Sequence, residues 1–319
     1  MSDVDTAACA GRLTETLNGV LVGQAAAVEG LLVTYMAGGH ALLEGPPGVG
    51  KTLLASAFAS ALGVRFTRIQ FTPDLMPTDV SGANVFDPAT RTFRLVQGPL
   101  FTQVLMADEI NRTPPKTQSA LLEAMQEGQA TIDGTSHVLS PDFFVVATQN
   151  PVEFEGTYPL PEAQLDRFLM RVEIGLPDAE AEIDVFRRAV RGGTDGRRPE
   201  LPQPVVSAAE AGALRSAAGS VHVGDELLGY LQRLAAAVRR SPHVELGVSP
   251  RGALAALSAG RGYALVSGRD FLVPDDLKRV LVPAWAHRIV LSPESELEGH
   301  SARAVIEEAA RAVEVPHTA

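Results

Sequence analysis

The stretch that decides the fold is HALLEGPPGVGKTLLASAFASAL, residues 40–62. Its first five residues have an apolar centre and predict a strand, whereas residues 51–62 have the apolar spacing of a helix. Between them, Gly45-Pro46-Pro47-Gly48-Val49-Gly50-Lys51-Thr52 matches the pattern GxxxxGK[ST], which forms a phosphate-binding loop between a strand and a helix. The motif and its context together predict an α/β nucleotide-binding domain.

The chemistry of this loop follows from its residue types. Glycines let backbone N–H groups converge, and the start of the following helix adds partial positive charge beneath a bound phosphate. Lys51 can reach the β- and γ-phosphates of ATP, and the Thr52 hydroxyl is a ligand for Mg²⁺. The predicted ATP contacts are Gly45, Pro46, Pro47, Gly48, Val49, Gly50, Lys51, Thr52 and Leu53.

An acidic pair, Asp108-Glu109, follows the loop after the apolar run at residues 104–107. Taken alone, such a pair often only marks the point where a strand meets solvent. Together with a phosphate loop, it predicts that Asp108 holds Mg²⁺, mostly through water, and that Glu109 polarises the attacking water. The pair therefore indicates ATP hydrolysis.

The first part of the chain has the pattern of a parallel sheet covered by helices, because short apolar runs alternate with helical periodicity. The predicted strands are residues 40–44, 66–71, 104–107, 143–147 and 168–174, and the predicted helices are residues 24–37, 51–62, 115–126 and 179–191. Residues 84–96 and 129–139 predict inserted β-hairpins, the second on its Asp133-Gly134 turn. Long loops are the alternative interpretation of both segments.

The second part of the chain has helical periodicity. The predicted helices are residues 207–219, 225–240, 250–265, 274–290 and 302–313. Glycine, proline and charged residues precede them and predict a linker. We therefore expect an α/β core at residues 1–195, a linker at 196–206 and a small all-α domain at 207–319.

Composition excludes several classes of protein. The 319 residues carry 27 basic and 38 acidic side chains, a net charge of −11, which argues against sequence-blind nucleic-acid binding. The single cysteine excludes an internal disulfide and a cysteine-cluster metal site. There is no secretory signal pattern and no apolar run long enough for a membrane span, so we expect a cytoplasmic protein.

Three further segments carry a family resemblance. They are DEINRTPPKTQSALLEAM (residues 108–125), ATQNP (147–151) and EGTYPLPEAQLDRF (155–168). With residues 38–52, they closely resemble the MoxR family of AAA+ ATPases, and the resemblance extends over nearly the whole chain. It implies an AAA+ P-loop core with a parallel five-stranded sheet and inserted hairpins, followed by a small all-α lid domain.

The resemblance also implies roles for single residues. Asn150 corresponds to sensor 1, which hydrogen-bonds the γ-phosphate and the lytic water, and Arg167 resembles an arginine finger that acts on the ATP of a neighbouring subunit. Arg251 resembles sensor 2, an arginine that extends from the lid to the γ-phosphate, and Gly23 belongs to the segment beside adenine. The alternatives are a turn-capping role for Asn150, local pairing of Arg167 with Asp166 or Glu162, and a solvent or carboxylate partner for Arg251.

The two hairpins resemble loops that face the pore or the client in related ring ATPases. The candidate residues on them are Phe86, Arg91, Phe93, Arg94 and His137. Solvated loop residues with locally packed aromatic rings are the alternative.

The function implied by the resemblance is Mg²⁺-dependent ATP hydrolysis by a homo-oligomeric ring, expected to be a hexamer. Hydrolysis would drive chaperone-like remodelling or maturation of a client protein, including metal or cofactor insertion, with a von Willebrand factor A-domain protein as the expected partner. A nucleic-acid motor and a nucleotide-gated scaffold with little turnover remain alternatives, as does the ATPase subunit of a magnesium-chelatase-like complex.

Overall fold

The computed structural model describes residues 4–150, 156–191 and 200–316. In the first two ranges the helices are α1 (Thr6–Val20), α2 (Ala25–Met36), α3 (Lys51–Ala61), α4 (Pro77–Ser81), α5 (Pro115–Glu127), α6 (Glu162–Leu165) and α7 (Ala179–Arg191). The strands there are β1 (Ala41–Glu44), β2 (Phe66–Gln70), β3 (Gly82–Asp87), β4 (Thr92–Gln97), β5 (Val104–Asp108), β6 (Gln129–Ile132), β7 (Thr135–Val138), β8 (Phe144–Gln149) and β9 (Met170–Glu173).

The central sheet has five parallel strands in the order β2-β5-β8-β1-β9. Each strand overlaps one of the five predicted segments, so the predicted parallel sheet is confirmed. Strands β5 and β8 are almost wholly buried because helices cover both faces of the sheet. In this arrangement the carboxyl ends of β5, β8 and β1 lie side by side.

Both predicted hairpins are present. Strands β3 and β4 pair antiparallel from Gly82 opposite Gln97 to Asp87 opposite Thr92. Strands β6 and β7 pair around Asp133 and Gly134, whose φ angles of 48° and 78° suit the tight turn that these two residues predict.

The last range contains the helical lid. Its helices are α8 (Ala208–Ser216), α9 (Asp225–Arg240), α10 (Pro250–Val266), α11 (Pro274–Trp285), α12 (Pro293–Leu297) and α13 (Ala302–Ala312), and its strands are β10 (Val244–Leu246) and β11 (Val290–Leu291). The predicted helix at 274–290 ends earlier, at Trp285, because Pro283 interrupts its last turn and β11 then pairs with β10. Helix α1 was not among the predicted segments.

The lid packs directly on the first helices of the chain. Helix α8 contacts α1 and α2, and α10 also packs on α2. One hydrophobic core therefore runs from Leu13 and Leu31 to Leu214 and Trp285. Residues 200–206 run along α3, where Val205 N–H donates to the Ala61 carbonyl oxygen at 2.9 Å. No described helix is both long and apolar enough to cross a membrane.

Candidate functional site

The phosphate loop joins β1 to α3. Gly48 and Gly50 have φ angles of 84° and 95°, in the left-handed region that favours glycine. A Cβ atom at Gly45 would lie 2.0 Å from the Ile174 carbonyl oxygen, so only glycine fits there. The Lys51 ammonium group donates to the Gly45 carbonyl oxygen at 2.8 Å. The loop therefore has the backbone that its motif predicts.

The predicted acidic and amide residues lie at the same edge of the sheet as this loop. Asp108 ends β5, and Asn150 directly follows β8, the strand between β5 and β1. Both side chains are buried, with 8% and 6% of their residue surface exposed. The structure thus brings Asp108, Glu109 and Asn150 together with Lys51 and Thr52 at one sheet edge.

Two neighbours engage both carboxylate oxygens of Asp108. Arg68 on β2 donates to Oδ2 from Nε at 3.0 Å and from Nη2 at 2.6 Å. The Thr148 hydroxyl donates to Oδ1 at 2.5 Å. A carboxylate here and the hydroxyl of Thr52 are hard oxygen ligands of the type that Mg²⁺ prefers, so the residues fit that ion.

Glu109 is held in one position by its backbone and its carboxylate. Its φ and ψ angles are 55° and 50°, a left-handed conformation that is unusual for glutamate. Its N–H donates to the Thr148 hydroxyl at 2.8 Å. Its Oε2 accepts hydrogen bonds from Gln70 at 2.7 Å and Arg112 at 3.1 Å. The left-handed backbone and three hydrogen-bonding groups hold Glu109 and its carboxylate in a fixed place beside Asp108.

Arg68, Gln70 and Thr148 are site residues that the sequence reasoning missed. Arg68 and Gln70 stand two residues apart on β2, so they lie on one face of a strand that we treated as apolar. That alternation was a signal for polar contacts at the edge of the sheet. Thr148 carried no comparable signal, because its two partners depend on the pairing of β5 with β8.

The segment containing Gly23 flanks the phosphate loop. A Cβ atom at Gly50 would lie 3.8 Å from the Leu21 side chain. Gln24 donates to the Gly175 carbonyl oxygen at 2.8 Å, and a Cβ atom at Gly23 would lie 2.8 Å from Ala181. Residues 21–24 are therefore closely packed between the loop and the start of α7, as a segment beside the nucleotide base would be.

Arg167 lies at the other end of the sheet from the phosphate loop. Its turn precedes β9, where Leu169 N–H donates to the His40 carbonyl oxygen at 2.9 Å, just before β1. Gly45 approaches Ile174, just after β9. A four-residue strand is roughly 13 Å long. Arg167 is thus remote from the phosphate loop of its own chain.

Arg251 lies next to the Arg167 turn and not next to Lys51. Its Nε is 3.4 Å from Asp166 Oδ2, and Arg288 Nε donates to Asp166 Oδ1 at 2.6 Å. Asp166, one of the two carboxylates that could have paired with Arg167, is therefore occupied by two lid arginines. Burial lowers the pKa of Arg288, and the hydrogen bond that Arg288 donates to Asp166 opposes that shift.

The candidate residues of the first hairpin are exposed. Phe86 and Phe93 have 49% and 71% of their surface exposed, and their ring centroids are 5.4 Å apart. Arg91 stands at the tip with a φ angle of 54°. On the second hairpin, His137 packs edge-to-face on Phe101, with ring centroids 6.4 Å apart. The hairpin β3–β4 therefore presents a small aromatic surface to solvent.

Comparison with known proteins identifies relatives along the whole chain. Residues 40–170 match the ATPase family associated with various cellular activities (AAA), and residues 236–309 match the AAA lid domain. Chaperone MoxR1 of Mycobacterium tuberculosis is 40% identical, with 93% of this chain and 80% of that protein aligned. The uncharacterized protein YeaC of Bacillus subtilis is 44% identical over 96% of this chain and 94% of its own length.

Two further comparisons agree with these. Protein MoxR of Paracoccus denitrificans is 33% identical over 88% of both chains. A crystal structure from Cytophaga hutchinsonii, assigned as an ATPase, has a TM-score of 0.88 and 37% identity, and covers 98% of this chain and 97% of its own. These matches and the observed sheet confirm the predicted AAA+ core with a helical lid.

Proposed function

This chain belongs to the MoxR family of AAA+ ATPases, and from that premise we propose that it hydrolyses ATP with Mg²⁺ in a hexameric ring. Each active site is shared between neighbouring subunits. One subunit supplies the phosphate loop, Asp108, Glu109 and Asn150, and the next supplies Arg167 and Arg251.

The proposal of a shared site rests on the separation between the residues around the phosphate loop and the two arginines. Lys51 and Glu109 lie at the carboxyl edge of the sheet, whereas Arg167 and Arg251 flank Asp166 beyond its opposite edge. Arginines so distant from their own phosphate loop can serve hydrolysis only at the ATP bound to a neighbouring copy of the chain. This supports an assignment in trans for both arginines.

Within one site, we assign each residue one task. Lys51 and the loop N–H groups bind the phosphates, and Glu109 polarises the attacking water, supported by its hydrogen bonds from Gln70 and Arg112. Thr52 and Asp108 would hold Mg²⁺, which supplies positive charge to the phosphate oxygens. Asn150 orients the water and the γ-phosphate. The two arginines neutralise the charge that develops during phosphoryl transfer.

We further propose that hydrolysis is coupled to remodelling or maturation of a client protein. One relative is named a chaperone, and the exposed rings of Phe86 and Phe93 offer a surface for an apolar client segment. A protein with a von Willebrand factor A domain is the proposed partner, and metal or cofactor insertion the proposed outcome. The net charge of −11 disfavours the nucleic-acid motor.

The experiment that tests the shared site mixes two inactive variants. Lys51→Ala subunits lack phosphate binding but keep their arginines, and Arg167→Ala subunits have the opposite defect. Mixed rings should regain a fraction of wild-type ATPase activity, and the specific activity of the wild type should rise with protein concentration. As a control, the double variant Lys51→Ala/Arg167→Ala mixed with Arg167→Ala should stay inactive, because no subunit then supplies a finger.

Two outcomes would contradict the proposed function. If mixed rings form but recover no activity at any ratio, Arg167 does not act in trans. If the wild type binds ATP tightly but turns over negligibly at every concentration, the nucleotide-gated scaffold is the better description.

A further inference from the structure

A single lid side chain fastens the turn that carries Arg167. Arg288 follows α11 and is 7% exposed. Its guanidinium donates to Asp166 Oδ1 at 2.6 Å and to the carbonyl oxygens of Asp166 at 3.0 Å, Phe168 at 2.7 Å and Leu169 at 3.1 Å. The Ala284 carbonyl oxygen accepts a further hydrogen bond, and Arg288 Nη1 also lies 2.8 Å from His287 Nε2. Since arginine has five N–H donors, the whole donor capacity of Arg288 is used.

These contacts surround Arg167 on both sides. Asp166 precedes it, and Phe168 and Leu169 follow it, so Arg288 fixes the backbone from which the Arg167 side chain projects. His287 adds a contact from Nε2 to the Phe168 carbonyl oxygen at 3.1 Å. The direction of Arg167 therefore depends on where the end of α11 lies.

Asp166 connects the buried arginine to an exposed one. Its Oδ1 accepts from Arg288, and its Oδ2 lies 3.4 Å from Nε of Arg251, which is 55% exposed. One carboxylate thus joins two lid segments, helix α10 and the turn after α11, to the start of residues 166–169, which we call the finger turn. Two arginines share this aspartate and Arg167 directly follows it, so the surface keeps positive charge that suits a phosphate.

We propose that Arg288 and Asp166 are positioning residues for Arg167: they tie the finger of each subunit to its own lid and thereby control hydrolysis in the next subunit. Neither residue touches ATP in this arrangement. The inference rests on the proposed action of Arg167 in trans. Its distinctive consequence is that a defect at Arg288 appears at the neighbour's site and not at the site of the altered subunit.

The test uses Arg288→Lys, which keeps the charge but cannot make five hydrogen bonds in a planar fan. We expect kcat to fall about 10- to 100-fold because the finger is misplaced, with KM for ATP changed by less than about twofold. Mixing with Lys51→Ala subunits should restore activity, because their fingers are intact. Asp166→Asn, a smaller change, should show the same pattern and guards against misfolding of the lysine variant.

Arg215→Lys is the matched control. Arg215 is another buried lid arginine, and it donates to the carbonyl oxygens of Tyr35, Gly39 and Phe143 at 3.1, 2.7 and 2.9 Å, none of which belongs to the finger turn. Arg215→Lys should lower the thermal unfolding temperature. Any loss of kcat in this variant should not be rescued by Lys51→Ala subunits.

The outcomes distinguish a failure of the positioning role from a failure of the shared site. If Arg167→Ala and Lys51→Ala complement each other but Arg288→Lys keeps wild-type kcat, or loses kcat without rescue, the positioning role is wrong and the shared site stands. If Arg167→Ala and Lys51→Ala do not complement each other in mixed rings, the shared site is wrong and the positioning role falls with it.

Discussion

Arg68 donates two hydrogen bonds to the same carboxylate oxygen of Asp108, from Nε at 3.0 Å and from Nη2 at 2.6 Å. Asp108 is the residue assigned to Mg²⁺, so the guanidinium and the ion compete for one carboxylate. The Arg68 side chain is 43% exposed, which limits the strength of the pair to at most about 1 kcal/mol.

Removing Arg68 should therefore ease Mg²⁺ binding. We expect Arg68→Ala to lower the Mg²⁺ concentration that gives half-maximal ATPase activity by up to about fivefold. Arg65→Ala is the control, because this substitution removes the same charge from an exposed side chain that does not touch Asp108. A Mg²⁺ requirement that is unchanged or higher in Arg68→Ala would show that Arg68 does not compete with the ion.

Glu109→Gln should separate ATP binding from turnover. The amide keeps the size of the side chain but cannot polarise water as a carboxylate does, so single-turnover hydrolysis should slow by about 10²- to 10⁴-fold. Binding of a fluorescent ATP analogue should change by less than about twofold. Normal hydrolysis in this variant would remove Glu109 from the catalytic assignment.

Thr148→Val should weaken both the fold and the site. The wild-type hydroxyl donates to Asp108 and accepts the Glu109 N–H. Valine has the same shape but leaves that buried N–H without its partner, at a cost of about 1–3 kcal/mol in the free energy of unfolding. Turnover should fall as well, because the Glu109 backbone loses its anchor.

Thr148→Ser retains the hydroxyl and is the control for this change. Its free energy of unfolding, measured by chemical denaturation, and its kcat should both be close to the wild-type values. Equal behaviour of the valine and serine variants would mean that the hydroxyl is not what holds Glu109.

Stability should fall in mild acid because of His40. Its Nδ1 accepts the Val145 N–H at 3.0 Å while Nε2 lies 3.1 Å from the Met125 carbonyl oxygen, an arrangement that needs the neutral ring. Burial, with a contribution from Arg215, lowers the pKa of His40 to about 3. In the unfolded chain the pKa is about 6.5, so between these values the unfolded state binds the extra proton.

The contribution of His40 to the free energy of unfolding should thus be complete above about pH 6.5, and should decrease by about 1.4 kcal/mol per pH unit below it. His40→Gln should remove this one-proton slope from denaturation curves measured between pH 7 and pH 5, whereas His222→Gln, at an exposed position, should retain it. Parallel slopes in all three proteins would assign the acid sensitivity to other groups.

The sequence by itself determined the local architecture of this protein. Residues 40–62 specified a strand, a phosphate loop and a helix, because glycines at fixed spacing and a change of apolar period are local properties of a chain. Asp133-Gly134 specified a hairpin for the same reason. The Asp108-Glu109 pair could be assigned to the carboxyl edge of the sheet because parallel strands all end there, and the family resemblance assigned Asn150.

Only the tertiary structure decided which side chains share a partner. Asp108 meets Arg68 and Thr148 because β5 lies between β2 and β8, and strand order is not encoded in the pattern of any one strand. Arg251 meets Asp166, rather than its own phosphate loop, because α8 and α10 pack on α1 and α2 and so fix where the lid lies. Such contacts join residues about 40 to 120 positions apart, and the long-range packing of apolar surfaces determines them.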